Sequence, residues 1–388
     1  MKVDVTRLRK FVAPEFILGA GALARCADYI TLLGATKVFI VTDPGLVQAG
    51  WVSKVEALLV QNQITFERFE QVSPNPRDYE VMQGAHMYRE KRCDLIIAIG
   101  GGSPIDCAKG IGIVVSNGGS ILDYEGVDKI NVPIPPLICI PTTAGTGADI
   151  SQFAIILDTT RNVKIAIISK SIVPDVSLID PLCTTTMNAN LTATTGMDAL
   201  THAFEAYVSN ASSPMTDVLA LSAIEYIAEH LVEAYHNPID MDARTGMMVG
   251  SLFAGLAFSN ASLGIVHAMA HALGGLLDLP HGLCNALILE HSISYNFSAA
   301  SERYRKIAEI ILKTPCTEQS DVWIEQELRQ FLHNLRHSLS LGDTIERILV
   351  DDTIIFQLSN LALQDPCIVT NPRRPTIDDI EAIYARLF

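Results

Sequence analysis

The stretch DLIIAIGGGSPIDCAKG, residues 94–110, decides how the first half of this 388-residue chain is read. Residues 94–99 (DLIIAI), apolar and rich in β-branched residues after the first, predict a strand buried on both faces. Gly100, Gly101 and Gly102 then break it. Ser103 is expected to cap the following helix, with Pro104 at its first position and Asp106 at its third. A glycine turn lets backbone approach a pyrophosphate closely, and the N–H groups at a helix start face an anion. A glycine cluster alone is equally a tight strand-to-helix turn. The G-x-G-x-x-G fingerprint is not matched, because Ile105 stands where its last glycine falls.

The same texture extends on both sides. KVFIVT (37–42) reads as a buried strand ending at Asp43, followed by the turn Asp43-Pro44-Gly45 and a helix over 46–60. A strand at 65–69 leads through Ser73-Pro74-Asn75-Pro76 to a helix over 78–91. Leu137–Ile140 predicts a further strand, closed by PTTAGTG (141–147), where hydroxyls and glycines offer a second phosphate or ribose contact. Residues 153–157 and 163–168 suggest a hairpin carrying Lys164; such a lysine is commonly a plain surface residue. Residues 176–179 close the strand-rich part. Strand–helix alternation of this kind predicts an α/β domain with a parallel, Rossmann-like sheet, and its ligands belong at the carboxyl ends of the strands.

From about Asn190 the chain reads as helix after helix. The expected helices lie near 195–209, 216–235, 243–258, 265–277, 301–311, 322–335, 351–363 and 376–387. We place the boundary near residues 184–186, giving a dinucleotide-binding domain (1–185) and an all-α metal- and substrate-binding domain (186–388). The cleft between them is the expected active site.

The helical half carries GIVHAMAHALGGLLDLPHGLCN (264–285), which holds His267, His271 and His281, three of only ten histidines. His267 and His271 stand at i and i+4 on one helix, and His281 follows on the turn after Pro280. Upstream, Asp198 and His202 repeat the i, i+4 spacing. A lone histidine on an apolar helix is usually a satisfied core residue. Two such pairs plus a third histidine ten residues on form a candidate four-ligand set for a divalent first-row metal.

Composition narrows the remaining classes. Net charge is −15 with no basic run, which argues against nucleic acid or anionic membrane as partners. Hydrophobic residues make up 49%, and mean hydropathy is +0.28. The longest stretch without Asp, Glu, Lys or Arg (245–277) is interrupted too often by Ser, Asn, Gly and His for a membrane span. The eight cysteines are scattered without a C-x-x-C pair and read as buried thiols. MKVDVTRLRKFVAPEF lacks a signal-peptide core and cleavage site, so a cytoplasmic protein is expected. Its apolar composition predicts a homo-oligomer.

The segments VTDPGL, SPNP, IGGGSPIDCAKG, PTTAGTGADI, PDVSLIDP, LTATTGMDALTHAFEAYVS, LGIVHAMAHALGGLLDLPHG and TNPRRPT span residues 41–376. Together they resemble the iron-containing (group III) alcohol dehydrogenases, and within that family the primary-alcohol and diol dehydrogenases. The resemblance implies Fe2+ on Asp198, His202, His267 and His281, with Zn2+ served by the same ligand types. His271 falls near the nicotinamide instead and is the candidate catalytic proton carrier, which separates it from the other two histidines of its stretch. Asn75, Gly101, Gly102, Ser103, Thr142, Thr143, Thr146 and Lys164 fall at cofactor contacts. Asp43 matches an acid that binds adenosine ribose hydroxyls and repels a 2′-phosphate, which favours NAD over NADP. Phe258 and Cys367 fall at substrate-pocket positions. The implied reaction passes a hydride between NAD(H) and a small neutral primary alcohol or diol and its aldehyde, with the metal as Lewis acid. The alternative is a non-redox NAD- and metal-dependent enzyme similar to dehydroquinate synthase, although few cations stand near the histidines. One departure is plain: the family often writes TTAGTGSE where this chain has Ala148 and Asp149.

Overall fold

The computed structural model describes residues 10–342, 344–345 and 350–388. The first nine residues, which belong to the segment read as lacking a leader, lie outside that set. The chain divides into two compact units, Val12–Met187 and Asn188–Phe388.

The first unit contains β1 (Glu15–Leu18), α1 (Cys26–Leu32), β2 (Lys37–Val41), α2 (Pro44–Ala49), α3 (Trp51–Gln61), β3 (Thr65–Phe69), α4 (Asp78–Lys91), β4 (Leu95–Gly100) and α5 (Gly102–Asn117). It continues with β5 (Gly126–Val127), β6 (Leu137–Pro141), β7 (Phe153–Asp158), β8 (Val163–Ile168) and β9 (Val176–Ile179). Six strands form one parallel sheet in the order β1-β9-β6-β4-β2-β3. Alternate residues of its central strands feed opposite cores, as the period of two requires. Phe39, Val41, Ile96 and Ala98 pack with α4 and α5. Val38, Ile40, Leu95, Ile97 and Ile99 pack with α1 and α3 on the other face. Burial on both faces explains why these strands are continuously apolar. A smaller sheet runs β5-β8-β7, with β7 and β8 antiparallel.

The strand order makes a switch point. From β2 the chain moves outward to β3, then returns to the opposite side of β2 as β4. The connections leaving the carboxyl ends of β2 and β4 therefore diverge, which opens a crevice there. Asp43 follows β2 and Gly101 follows β4, so both stand at that crevice.

The second unit is helical: α6 (Ala189–Val208), α7 (Pro214–His236), α8 (Met241–Ala261), α9 (Ile265–Leu276), α10 (His281–Ile311), α11 (Asp321–Ser338), α12 (Asp352–Gln364) and α13 (Ile377–Tyr384). Four sequence expectations need correction. The helix expected over 46–60 is two, because Gly50 adopts φ +84° between them. Ser103 is not a cap: the helix starts at Gly102 with Gly101 as its N-cap residue. The helix expected at 301–311 is the end of α10, which begins at His281 and bends at Ala300. His281 is therefore a first-turn helical residue and not part of a turn. Edge strand β1 was not foreseen.

Among the described residues, no single helix is long and apolar enough to cross a membrane. All eight cysteines are buried free thiols.

Candidate metal centre and cofactor loops

In the helical unit, α6 carries Asp198 and His202 one turn apart, α9 carries His267 and His271, and α10 opens with His281. Close helix packing brings the first two and the last together. A Cβ on Gly282 would lie 2.2 Å from the Thr194 carbonyl oxygen, so the first turn of α10 rests directly on the backbone of α6. The result is a tight group. Asp198 Oδ1 stands 3.8 Å from His202 Nε2, 3.5 Å from His267 Nε2 and 3.6 Å from His281 Nε2.

Those spacings test the fit of a metal. Ligands about 2.1 Å from one tetrahedral ion are separated by about 3.4 Å. The observed 3.5–3.8 Å from Asp198 lies within a few tenths of that, and the donor atoms of Asp198, His267 and His281 all lie within 4.8 Å of one another; His202 stands outside that trio, 3.8 Å from Asp198. The donor set, one carboxylate and three imidazoles, suits Fe2+ or Zn2+. The electrostatics agree. Burial opposes charge on Asp198, yet His202, His281 and His267 hold its carboxyl well below the usual range. Burial likewise lowers His267, but Asp198 and Glu205 outweigh it and raise the imidazole to about 9. The pocket stabilises positive charge at this point. Asp198, His202 and His267 are almost wholly enclosed, while the His281 side chain keeps 26% exposure and forms the open side.

The set is held from behind. Glu205, one turn after His202 on α6, accepts a hydrogen bond from His267 Nδ1 at 2.6 Å and from Val266 N at 2.7 Å. Gly264, the N-cap residue of α9, offers no side chain, so Glu205 and Asn371 (which accepts from Ile265 N at 3.1 Å) satisfy that helix start from outside. Sequence reasoning missed Glu205, although its i+3 spacing from His202 was a usable signal.

His271 faces a different partner. Its Nδ1 lies 2.8 Å from Asp365 Oδ2, and its ring stacks on His281 at 5.3 Å between centroids. Burial raises Asp365, but His271 pulls its carboxyl below the ordinary value. Cys367 closes the same cluster, its thiol pushed far up by burial. Phe258 stacks on His202 at 4.3 Å between centroids. Both expected pocket residues thus stand beside the centre, though both are nearly inaccessible. Asp365 lies 94 residues from His271 and left no local trace in the sequence.

In the α/β unit, three adjacent parallel strands, β6, β4 and β2, end at one edge of the sheet. Their loops bring Thr142, Thr143 and Thr146, then Gly101, Gly102 and Ser103, then Asp43 side by side. The glycines are required by the threonines: a Cβ on Gly101 would come within 3.2 Å of Thr143, and one on Gly102 within 2.9 Å of Thr146. Among the described residues, no side-chain cap hydrogen bond is made at the start of α5. Asp43 caps α2 through Leu46 N at 3.0 Å, and burial raises its carboxyl. Asn75 sits in the loop after β3 with φ +56°. Lys164 on β8 is buried, not a surface lysine, and its charge reaches Asp106.

The residues that depart from the family pattern have a local use. Asp149 is buried and accepts from Ser177 Oγ at 2.6 Å, while burial raises its carboxyl. Lys109, fully buried, donates to the carbonyls of Ser151 (2.8 Å) and Phe153 (2.7 Å). Asp149 therefore supports the threonine loop from within.

Two family descriptions match the chain: iron-containing alcohol dehydrogenase over residues 13–181, and the C-terminal part of the Fe-containing alcohol dehydrogenase family over 192–388. The chain belongs to the iron-containing alcohol dehydrogenase family. Membership makes this chain an alcohol oxidoreductase. It is 42% identical to alcohol dehydrogenase 4 of Schizosaccharomyces pombe, covering 96% of this chain and 88% of the relative. It is 37% identical to 1,3-propanediol dehydrogenase of Klebsiella pneumoniae, covering 98% and 99%. Among solved iron-containing alcohol dehydrogenases and their kin, a 1,3-propanediol oxidoreductase superposes with a TM-score of 0.94 at 38% identity, covering 98% of this chain and all of that one.

Proposed function

We propose that this chain is an NAD-dependent alcohol dehydrogenase whose metal, Fe2+ in preference to Zn2+, is held by Asp198, His202, His267 and His281. The observation that carries this reading is the convergence of three imidazoles within 3.5–3.8 Å of one buried carboxylate oxygen, inside a family of alcohol oxidoreductases. When bound, the ion supplies Lewis acidity to an alcohol or carbonyl oxygen, and the nicotinamide accepts or returns the hydride.

The protein's own residues do the rest. Glu205, accepting from Nδ1 of His267, fixes that ring with Nε2 turned inward. Asp365 accepts from Nδ1 of His271, which leaves His271 Nε2 to take a proton from the alcohol or return it to the forming one. The first turn of α5, with Gly101, Gly102 and Ser103, receives the pyrophosphate; Thr142, Thr143, Thr146, Asn75 and Lys164 complete the cofactor contacts. Asp43 accepts from the adenosine ribose hydroxyls and repels a 2′-phosphate. Phe258 and Cys367 supply apolar walls, which suits a small neutral primary alcohol or diol and its aldehyde. Relatives named for propanediol, methanol and lactaldehyde support that substrate class.

This reading also includes a cytoplasmic homo-oligomer. The edge strand β1, with Phe16 and Leu18 about two-fifths exposed, supports association. Sedimentation would check it.

The deciding experiment is NADH oxidation with short aldehydes after the protein is stripped of metal and reloaded. Activity restored by Fe2+, with NADPH much poorer, is the expected result. Activity with Zn2+ alone would overturn the choice of metal, and no turnover with either would overturn the reading.

A further inference from the structure

The ligand reading leaves one buried polar side chain at the middle of the cluster without a task. Asn285 is fully buried, one turn after His281 on α10. Its Nδ2 lies 2.7 Å from Asp198 Oδ1 and 3.2 Å from both His267 Nε2 and His281 Nε2. A carboxylate oxygen only accepts hydrogen bonds, so the contact at 2.7 Å fixes the amide with its nitrogen toward Asp198. Asn285 Oδ1, on the far side, meets no hydrogen-bond partner among the described residues. A side chain buried for packing alone would not place its donor at the one carboxylate oxygen from which three imidazoles are equally near. Asp198 has no other side-chain donor among the described hydrogen bonds besides the histidines themselves.

We propose that Asn285 is a positioning residue of the metal centre: by donating from Nδ2 to Asp198 Oδ1 it fixes the rotation of that carboxylate and so sets the ligand geometry. This rests on the reading of Asp198, His202, His267 and His281 as ligands. Asp198 sits on α6 and Asn285 on α10, so the bond also ties together the two helices that bring Asp198 and His281 to the same point. Without it the carboxylate is free to turn about its own axis, and its oxygen is no longer held at ligand spacing from the imidazoles. The carboxylate oxygen has lone pairs enough to accept from Asn285 and to bind a cation at once.

The test measures metal binding and not turnover. The full-length protein is stripped of metal and titrated with Co2+ against a chromophoric chelator, for wild type, Asn285→Ala, Asn285→Ser and Asp198→Ala. Partners behind metal ligands typically change affinity by about 10–100-fold. The expected result is a loss in that range for both Asn285 variants, a larger loss for Asp198→Ala, and a shifted visible absorption of bound Co2+. A shifted Co2+ spectrum and weaker binding in variants that still fold, as melting temperature shows, is the readout that a purely structural role would not move. Wild-type affinity and spectrum in the Asn285 variants, with Asp198→Ala weakened, overturn this proposal alone. Wild-type affinity in Asp198→Ala overturns the ligand reading and this proposal with it. Should Asn285→Ala fail to fold, Asn285→Ser, which keeps a small polar side chain, carries the same comparison.

Discussion

Glu205 Oε2 stands 2.6 Å from His267 Nδ1, and Glu205 Oε1 stands 2.7 Å from Val266 N. One carboxylate therefore orients a ring of the candidate metal centre and caps the start of the helix that carries it. Glu205→Ala should lower metal affinity by about 10–100-fold. It should also destabilise the metal-free protein by about 1–3 kcal/mol, because buried N–H groups lose their acceptor. Glu205→Gln keeps the shape and should retain more stability than affinity. Metal titration and thermal unfolding of both variants check this; equal affinity in Glu205→Gln and wild type would refute the orienting role.

Gly282 is where α10 touches α6. A methyl group there would meet the Thr194 carbonyl at 2.2 Å, and backbone cannot yield as a flexible side chain does. Gly282→Ala should push His281 away from Asp198, costing about 1–3 kcal/mol of stability and most of the bound metal. Metal content after dialysis, read beside the melting temperature, decides it. A variant that keeps its full metal complement would show that the contact is not what sets the ligand spacing.

Asp43 has two tasks that one substitution can separate. Serine caps helices as aspartate does, so Asp43→Ser should leave stability within about 1 kcal/mol. It removes the negative charge, and the ratio of kcat/KM for NADH over NADPH should fall by at least about tenfold. An unchanged ratio would move cofactor choice to another residue.

Asp365 is expected to act only through His271. Asp365→Asn should lower kcat by about 10–100-fold with little change in KM for the aldehyde. Adding it to His271→Ala should change nothing further, since a partner that works through a residue has no effect once that residue is gone. Additive losses in the double variant would show an independent role for Asp365.

Asp106, half-buried in the α/β unit, has its carboxyl raised by desolvation to about 6 from 3.8. The sign follows from linkage: its contribution is most favourable below pH 4 and is lost as pH rises through about 6. Relative to Asp106→Asn, wild type should lose up to about 3 kcal/mol between those limits, at 1.36 kcal/mol per pH unit. Denaturant unfolding of both proteins at pH 4.5 and 7 gives the difference. A constant difference would mean that Asp106 titrates alike folded and unfolded.

The central strands were legible because burial on both faces forces an unbroken apolar run, and β3, α4 and β9 were read with their observed bounds. Strand β1 was not, since its residues are mostly exposed and its partner β9 lies far along the chain. The break at Gly50 was invisible because the apolar spacing continues across it. His281 was read as lying on a turn after Pro280, where Pro280 is the N-cap residue of α10. At the site, the i and i+4 spacings within α6 and α9 were visible, although on α9 the second histidine, His271, turns to Asp365. Asp365, Glu205 and Asn285 were not singled out: each acts across helices, and sequence periodicity speaks only for one helix at a time. Asn285 in fact stands four residues after His281, the same spacing that drew attention to the histidines.

The eight buried thiols have a use for the experimenter. Burial pushes those of Cys26 and Cys93 up to about 11, and those of Cys107, Cys139 and Cys367 far higher. A thiol that neither ionises nor meets solvent is a poor nucleophile, toward an alkylating reagent as toward an aldehyde product. Labelling in the native protein should therefore wait on local opening. With cysteines in both units, the order in which they become labelled would record, residue by residue, which part of the molecule opens first.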